Sequence, residues 1–304
     1  MTSFRRTKLS SGITLNVALA GDRSNPPVIL LHGFPESHRT WREVAPRLED
    51  RFFLVMPDQR GFAGSDRPQD VEAYDTDLLV DDIFALADAL ELKRFALVGH
   101  DWGGAISWTA ALRGDARLSR LAIINAPHPV IFQKSLIEDS SQRAASQYIS
   151  AFRSQMFEKA AEAMGYDALF EKSFSRHGVL ELINQAEREQ YIAEWSQPGG
   201  LTAMVNWYRA SKVKVPPPGV TLPLPQWVLR AFPKVEIPTL VIWGMKDEAL
   251  LPIQLKGLDR LVTDLEIAEI ADAGHFAPWE AADEVVAALL PFLAAEAGAS
   301  ATPG

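Results

Sequence analysis

The sequence predicts an α/β fold, a mostly parallel central sheet flanked by helices and interrupted once by a helical insertion. Three observations carry this. Short apolar runs rich in β-branched and large residues alternate with amphipathic stretches, the pattern of repeated strand–helix units. The runs between residues 27 and 125 are nearly continuous in hydrophobicity, as strands covered on both faces must be. From about residue 133 to 226 the pattern turns helical and strand-poor, after which the strand pattern resumes.

The predicted strands are ITLNVALA (13–20), PVILLHG (27–33), RFFLVMPD (51–58), RFALVGH (94–100), LAIIN (121–125) and TLVIWG (239–244). In DTDLLVDDIFALADALEL (75–92), Leu79, Ile83, Leu86 and Leu90 share one face at helical spacing. Acidic residues at its start complement the helix dipole. The alternation breaks after NAPHP (125–129), and the helical stretch closes with the proline-rich VPPPGVTLPLPQW (215–227). The expected organisation is a discontinuous core, residues 1–132 and 227–304, with a helical cap at 133–226. Pro291, inside DEVVAALLPFL (283–293), is expected to kink or end its helix. The small-residue tail at 295–304 is expected to fray.

At 304 residues the chain is long enough for one core with a sizeable insertion. With 47% hydrophobic and 23% charged residues it reads as globular and soluble. A net charge of −9 argues against a nucleic-acid surface. The absence of cysteine excludes disulfides, thiolate metal sites and a thiol nucleophile. No apolar run approaches the roughly 18 residues of a membrane span, and MTSFRRTKLSSG has arginines with no apolar segment behind them. A cytoplasmic location is expected.

The chemistry centres on GHDWGG (99–104), which has the G-x-nucleophile-x-G form of a strand–turn–helix elbow. Its glycines are needed because side chains beside so tight a turn would clash. Asp101 stands at the tip. LLHGFPES (30–37) follows another buried strand, and the backbone N–H of Phe34 there, with that of Trp102, would form an oxyanion hole. In GMKDEALL (244–251), Asp247 lies at a strand end, where catalytic groups of α/β sheets gather. Asp58 also ends a strand, but the order nucleophile, acid, histidine favours Asp247. ADAGHFAPWE (271–280) supplies His275, the only histidine after residue 177. His32 and His38 have no further ligands at metal spacing, so no metal site is expected.

These segments, together with VNWYRAS (205–211), resemble the α/β-hydrolase superfamily and specifically its epoxide hydrolase family. The resemblance spans nearly the whole chain except the tail. It implies that Asp101 is a nucleophile and that His275, oriented by Asp247, activates water. No cofactor is implied; the partners are a small apolar epoxide and water. It further implies two cap tyrosines that grip the ring oxygen. The N-W-Y-R segment points to Tyr208, and QYISAFR (147–153) points to Tyr148, four residues before Phe152, with Tyr166 and Tyr191 as alternatives. Phe34, Pro35, Trp102, Phe152 and Trp207 are expected to line an apolar pocket. Ala63, in RGFAGSDRP (60–68), stands where the family commonly has glycine, and His100 is expected to pack beside the elbow.

Residue chemistry agrees. An aspartate is ionised at neutral pH without a base, and it displaces leaving groups at saturated carbon, giving an ester on the enzyme. Histidine then activates the water that attacks that ester. An epoxide oxygen leaves only when it accepts a proton or strong hydrogen bonds, and neutral phenols are suitable donors. The closest rival is a haloalkane or haloacid dehalogenase with the same nucleophile, its halide held by Trp102 and, in place of the usual asparagine at Phe34, by Trp207. Residues 102–105 supply no arginine for a haloacid. A non-catalytic binding protein on the same fold is the third reading, disfavoured because Asp101, Asp247 and His275 are intact.

Overall fold

A computed structural model describes residues 2–295. Within them lie eight strands: β1 (Ser3–Lys8), β2 (Thr14–Ala20), β3 (Pro27–Leu31), β4 (Phe53–Pro57), β5 (Phe95–His100), β6 (Leu118–Ile124), β7 (Thr239–Gly244) and β8 (Leu265–Ile270). They form one sheet in the order β1-β2-β4-β3-β5-β6-β7-β8. β1 and β2 pair antiparallel, β2 pairs antiparallel with β4, and every pair from β4 to β8 is parallel. The six predicted strands all form; β1 and β8, at the two edges, are additional.

Side-chain alternation splits the core into two layers. Ile29 and Leu31 pack with Leu79, Ile83 and Leu86 of the helix Thr76–Ala89 on one face of the sheet. Val28 and Leu30 pack on the other face with Val285 and Leu289 of the helix Ala282–Ala294. That last helix runs through Pro291 rather than ending there. The proline removes only one backbone donor close to the end, and buried Leu289, Phe292 and Leu293 hold the final turns. The expected fraying concerns a segment that, beyond residue 295, lies outside the described residues.

After β3 the chain crosses to β4 on one side, and β5 is then added on the other. The crevice at the carboxyl ends of β3 and β5 is therefore the switch point where α/β folds hold ligands. The loop 32–37 and the elbow at Asp101 both open there. Between β6 and β7 the chain is helical, beginning at Pro129, four residues ahead of the predicted 133, and ending with Gln226–Leu229. These helices are pinned to the core by buried polar contacts. Trp195 Nε1 donates to the Pro35 carbonyl (2.9 Å), Tyr191 to Glu36 (2.8 Å) and Trp207 Nε1 to the Arg60 carbonyl (2.9 Å).

Candidate active site

Asp101 is the turn residue between β5 and the helix Trp102–Leu112, at φ 51° and ψ −120°. A non-glycine residue holds such a conformation only when its surroundings impose it. Here they do so through close backbone approach. A Cβ on Gly103 would lie 2.2 Å from the Leu31 carbonyl oxygen, and one on Gly33 would lie 2.4 Å from Asp101 Cβ and Oδ1. The two loops can meet only because both residues lack a side chain.

The Phe34 amide donates to Asp101 Oδ1 at 2.8 Å, and the Trp102 amide also bonds the carboxylate. Asp101 Oδ2 faces His275 Nε2 at 3.7 Å, too far for a direct hydrogen bond. His275 Nδ1 donates to Asp247 Oδ2 at 2.8 Å. Asp247 Oδ1 accepts from the amides of Ala249 (2.8 Å) and Leu250 (2.9 Å), which fixes its plane. The three predicted side chains thus form one series, carboxylate, imidazole, carboxylate. Asp58 stands outside it, taken up by His38 Nδ1 (2.7 Å) and Asn16 (2.8 Å).

Burial sets the electrostatics. It pushes the Asp101 carboxyl above its ordinary range, against the pull of His275 and the two amides. Burial alone would also lower His275, but Asp247 and then Asp101 outweigh it and raise the imidazole to about 9. Asp247 is buried too, yet His275 and the amides hold it below the usual carboxylate range. Tyr148 and Tyr208 are both pushed up, first by burial and then by the Asp101 charge, so each stays a neutral phenol.

Two cavities flank this carboxylate. The larger, about 720 Å³, is lined by Phe34, Pro35, Asp101, Tyr148, Phe152, Tyr208 and His275, with Met156, Phe157 and Met164 making its far wall apolar. The smaller, about 90 Å³, shares Asp101, Tyr148 and Tyr208 and is closed by Trp102, Phe132 and Leu250. Tyr148 and Tyr208 therefore stand with Asp101 at the junction. Tyr166 lines neither cavity, and the Tyr191 hydroxyl is engaged with Glu36.

Among the predicted pocket residues, Phe34, Pro35 and Phe152 line the larger cavity and Trp102 only the smaller. Trp207 lines neither. It is buried beneath Trp102, ring centroids 5.7 Å apart, with its indole N–H bonded to the Arg60 carbonyl. Adjacent residues on a helix project about 100° apart. Tyr208 faces the site, so Trp207 turns into the core.

Four residues near the site were not foreseen in these roles. Asn125, at φ 43° after β6, donates to Asp247 Oδ2 (2.8 Å) and accepts from the Gly244 amide (3.0 Å). His100 Nε2 donates to the His275 carbonyl (2.7 Å), fixing the loop that carries the imidazole. Glu36, buried with Oε1 accepting from Tyr191 and Trp279, fastens the loop after β3. His177 lines the larger cavity and lies against His275, its ring tilted to the imidazole. NAPHP, after which the alternation breaks, begins with Asn125, and HGFPES already contained Glu36; nothing local marked His177.

A carboxylate lifted on an elbow above a mostly parallel sheet, beside a histidine–carboxylate pair, is the layout of an α/β hydrolase. A family model described as the alpha/beta hydrolase fold matches residues 26–282. The AB hydrolase superfamily protein YfhM of Bacillus subtilis is 33% identical over 270 residues, covering 88% of this chain and 90% of that protein. Epoxide hydrolase A of Mycobacterium tuberculosis is 31% identical over 319 residues, covering 93% and 95%. A solved structure described among novel epoxide hydrolases of the alpha/beta hydrolases superfamily, from metagenomes of hot environments, is 42% identical. It superposes with a TM-score of 0.88, covering 97% of this chain and all of that one (100%). The chain belongs to the α/β-hydrolase superfamily and, within it, to the epoxide hydrolase family. No helix among the described residues is long and apolar enough to cross a membrane.

Proposed function

We propose that the protein hydrolyses apolar epoxides to vicinal diols through an ester on Asp101. The observation that carries this is the junction of the two cavities, where one ionisable carboxylate faces two neutral phenols, Tyr208 buried and Tyr148 half-buried. Oδ1 is occupied by the Phe34 amide, which leaves Oδ2 as the attacking oxygen. Its electron pair forms a bond to a ring carbon while the carbon–oxygen bond breaks. Tyr148 and Tyr208 donate to the departing oxygen, which gains a proton and becomes the first hydroxyl. The product is a neutral alkyl ester.

Ester formation also removes the Asp101 charge, one of the influences holding the His275 proton. The imidazole then becomes a better-matched base for neutral pH. It takes a proton from water as the water oxygen attacks Asp101 Cγ. The tetrahedral oxyanion grows on Oδ1, which accepts from the Phe34 amide, with the Trp102 amide as the second donor to the group. Collapse breaks the Cγ–Oδ2 bond, the imidazolium returns its proton to Oδ2, and the diol leaves with the original Oδ2 as its second hydroxyl; the proton remaining on the Asp101 carboxyl restores the phenol that gave one up. The helical insertion, residues 133–226, acts as the cap that supplies both phenols and covers the reacting centre.

Two measurements test the reading. His275→Gln, mixed with styrene oxide, should gain the mass of one substrate on the peptide that contains Asp101. The wild type should open styrene oxide and release no halide from a bromoalkane. Halide release without epoxide opening would instead favour a dehalogenase, but the Trp207 N–H that such a reading invokes is bonded to the Arg60 carbonyl.

A further inference from the structure

His177 plays no part in the steps above, yet it stands against the proposed base. It lies in the turn after the helix Tyr166–Ser175, whereas His275 is on the core loop after β8. The two ring centroids are 5.4 Å apart with planes inclined by 32°, and Phe276 meets His177 edge-on at 5.2 Å. His177 also lines the 720 Å³ cavity with Asp101 and His275. At about 30 Å³ per molecule, so large a space is able to hold many waters.

Water on the face of His275 would favour its charged form, because an imidazolium is better solvated than a neutral ring. The second half-reaction needs the neutral ring. Any aromatic surface laid over His275 denies that face to water, and His177 supplies one from the insertion side. The charged and titratable groups around the pair are Asp247, Asp101, Glu280 and His100 about His275, Arg176 next to His177 in the chain, and Tyr148 and Lys172 on the shared cavity wall. Burial, reinforced by charge on His275, lowers His177 to about 3, so it offers a neutral ring throughout the working range.

We propose that His177 is a positioning residue whose neutral ring covers one face of His275, excludes cavity water from it and so keeps it available as the base for ester hydrolysis. This rests on the function proposed above. Its effect is confined to the second half-reaction, and it is a property of the ring rather than of its nitrogens.

The test is single-turnover kinetics with styrene oxide, following ester formation and ester decay separately from about pH 5 to 10 in wild type, His177→Ala and His177→Phe. In His177→Ala, decay at neutral pH should slow about tenfold and its acid limb should move up by about one pH unit. Ester formation should fall much less, so ester accumulates. His177→Phe should restore the decay rate and the position of the limb. The proposal is overturned if His177→Ala leaves both steps unchanged, if it slows both in proportion as a folding or substrate-binding defect would, or if Phe fails to restore the limb. Absence of any ester in the wild type and in His275→Gln would overturn the function itself and this inference with it.

Discussion

The two oxygens of Asp101 have different surroundings, and in the proposed mechanism that difference sets their roles. Oδ1 is held at 2.8 Å by the Phe34 amide, while Oδ2 looks toward His275 across 3.7 Å. One is placed to become the ester carbonyl oxygen and the other to attack. In the proposed mechanism the phenols donate to the leaving oxygen, and burial keeps both protonated for it. Tyr208→Phe or Tyr148→Phe should therefore reduce the rate of ester formation by about 10²-fold or more while leaving the unfolding transition in place. Rapid-quench measurement of the ester checks this; an unchanged rate in both variants would remove the phenols from the mechanism.

Among the elements, the elbow was the most legible in sequence because it depends on close backbone approach, which only glycine permits, and glycines are visible. The central strands were legible for a similar reason, since burial on both faces demands continuous hydrophobicity. β1 and β8 were not, because SFRRTK and LEIAEI lie at the edges with charged residues facing water. The N-W-Y-R helix marks another limit. Motif spacing identified Tyr208 but could not assign opposite directions to Trp207 and Tyr208, since helix rotation is fixed by docking on Arg60 and Gln69. Asn125 and His177 act through partners more than 90 positions away in the chain, beyond the reach of local pattern. The loop carrying Arg60 also holds Ala63 at φ 40°, a strained position for a residue with a Cβ. Ala63→Gly should stabilise the protein by about 0.5–1 kcal/mol, the relief exceeding glycine's added entropy; a denaturant midpoint that falls would contradict it.

At the scale of the whole molecule, insertion and core meet through a few buried polar links around the site: Tyr191 on Glu36, Trp195 on Pro35 and Trp207 on Arg60. Tyr208 is thereby held by the contact that seats its helix through Trp207. The ion-paired His275 also makes stability depend on pH. Its folded value, about 9, exceeds the ordinary 6.5, so its contribution is complete below about 6.5 and disappears as pH rises through about 9. Wild type should consequently lose stability relative to His275→Gln between those values, as read from paired denaturant melts; parallel curves would contradict the coupling. The central claim, that Asp101 itself forms the ester, is tested most directly by one turnover with enzyme in excess in ¹⁸O-labelled water. The account predicts an unlabelled first diol and one heavy oxygen in the Asp101 carboxylate. A labelled first diol with an unlabelled Asp101 would mean that water attacks the epoxide directly, and would contradict it.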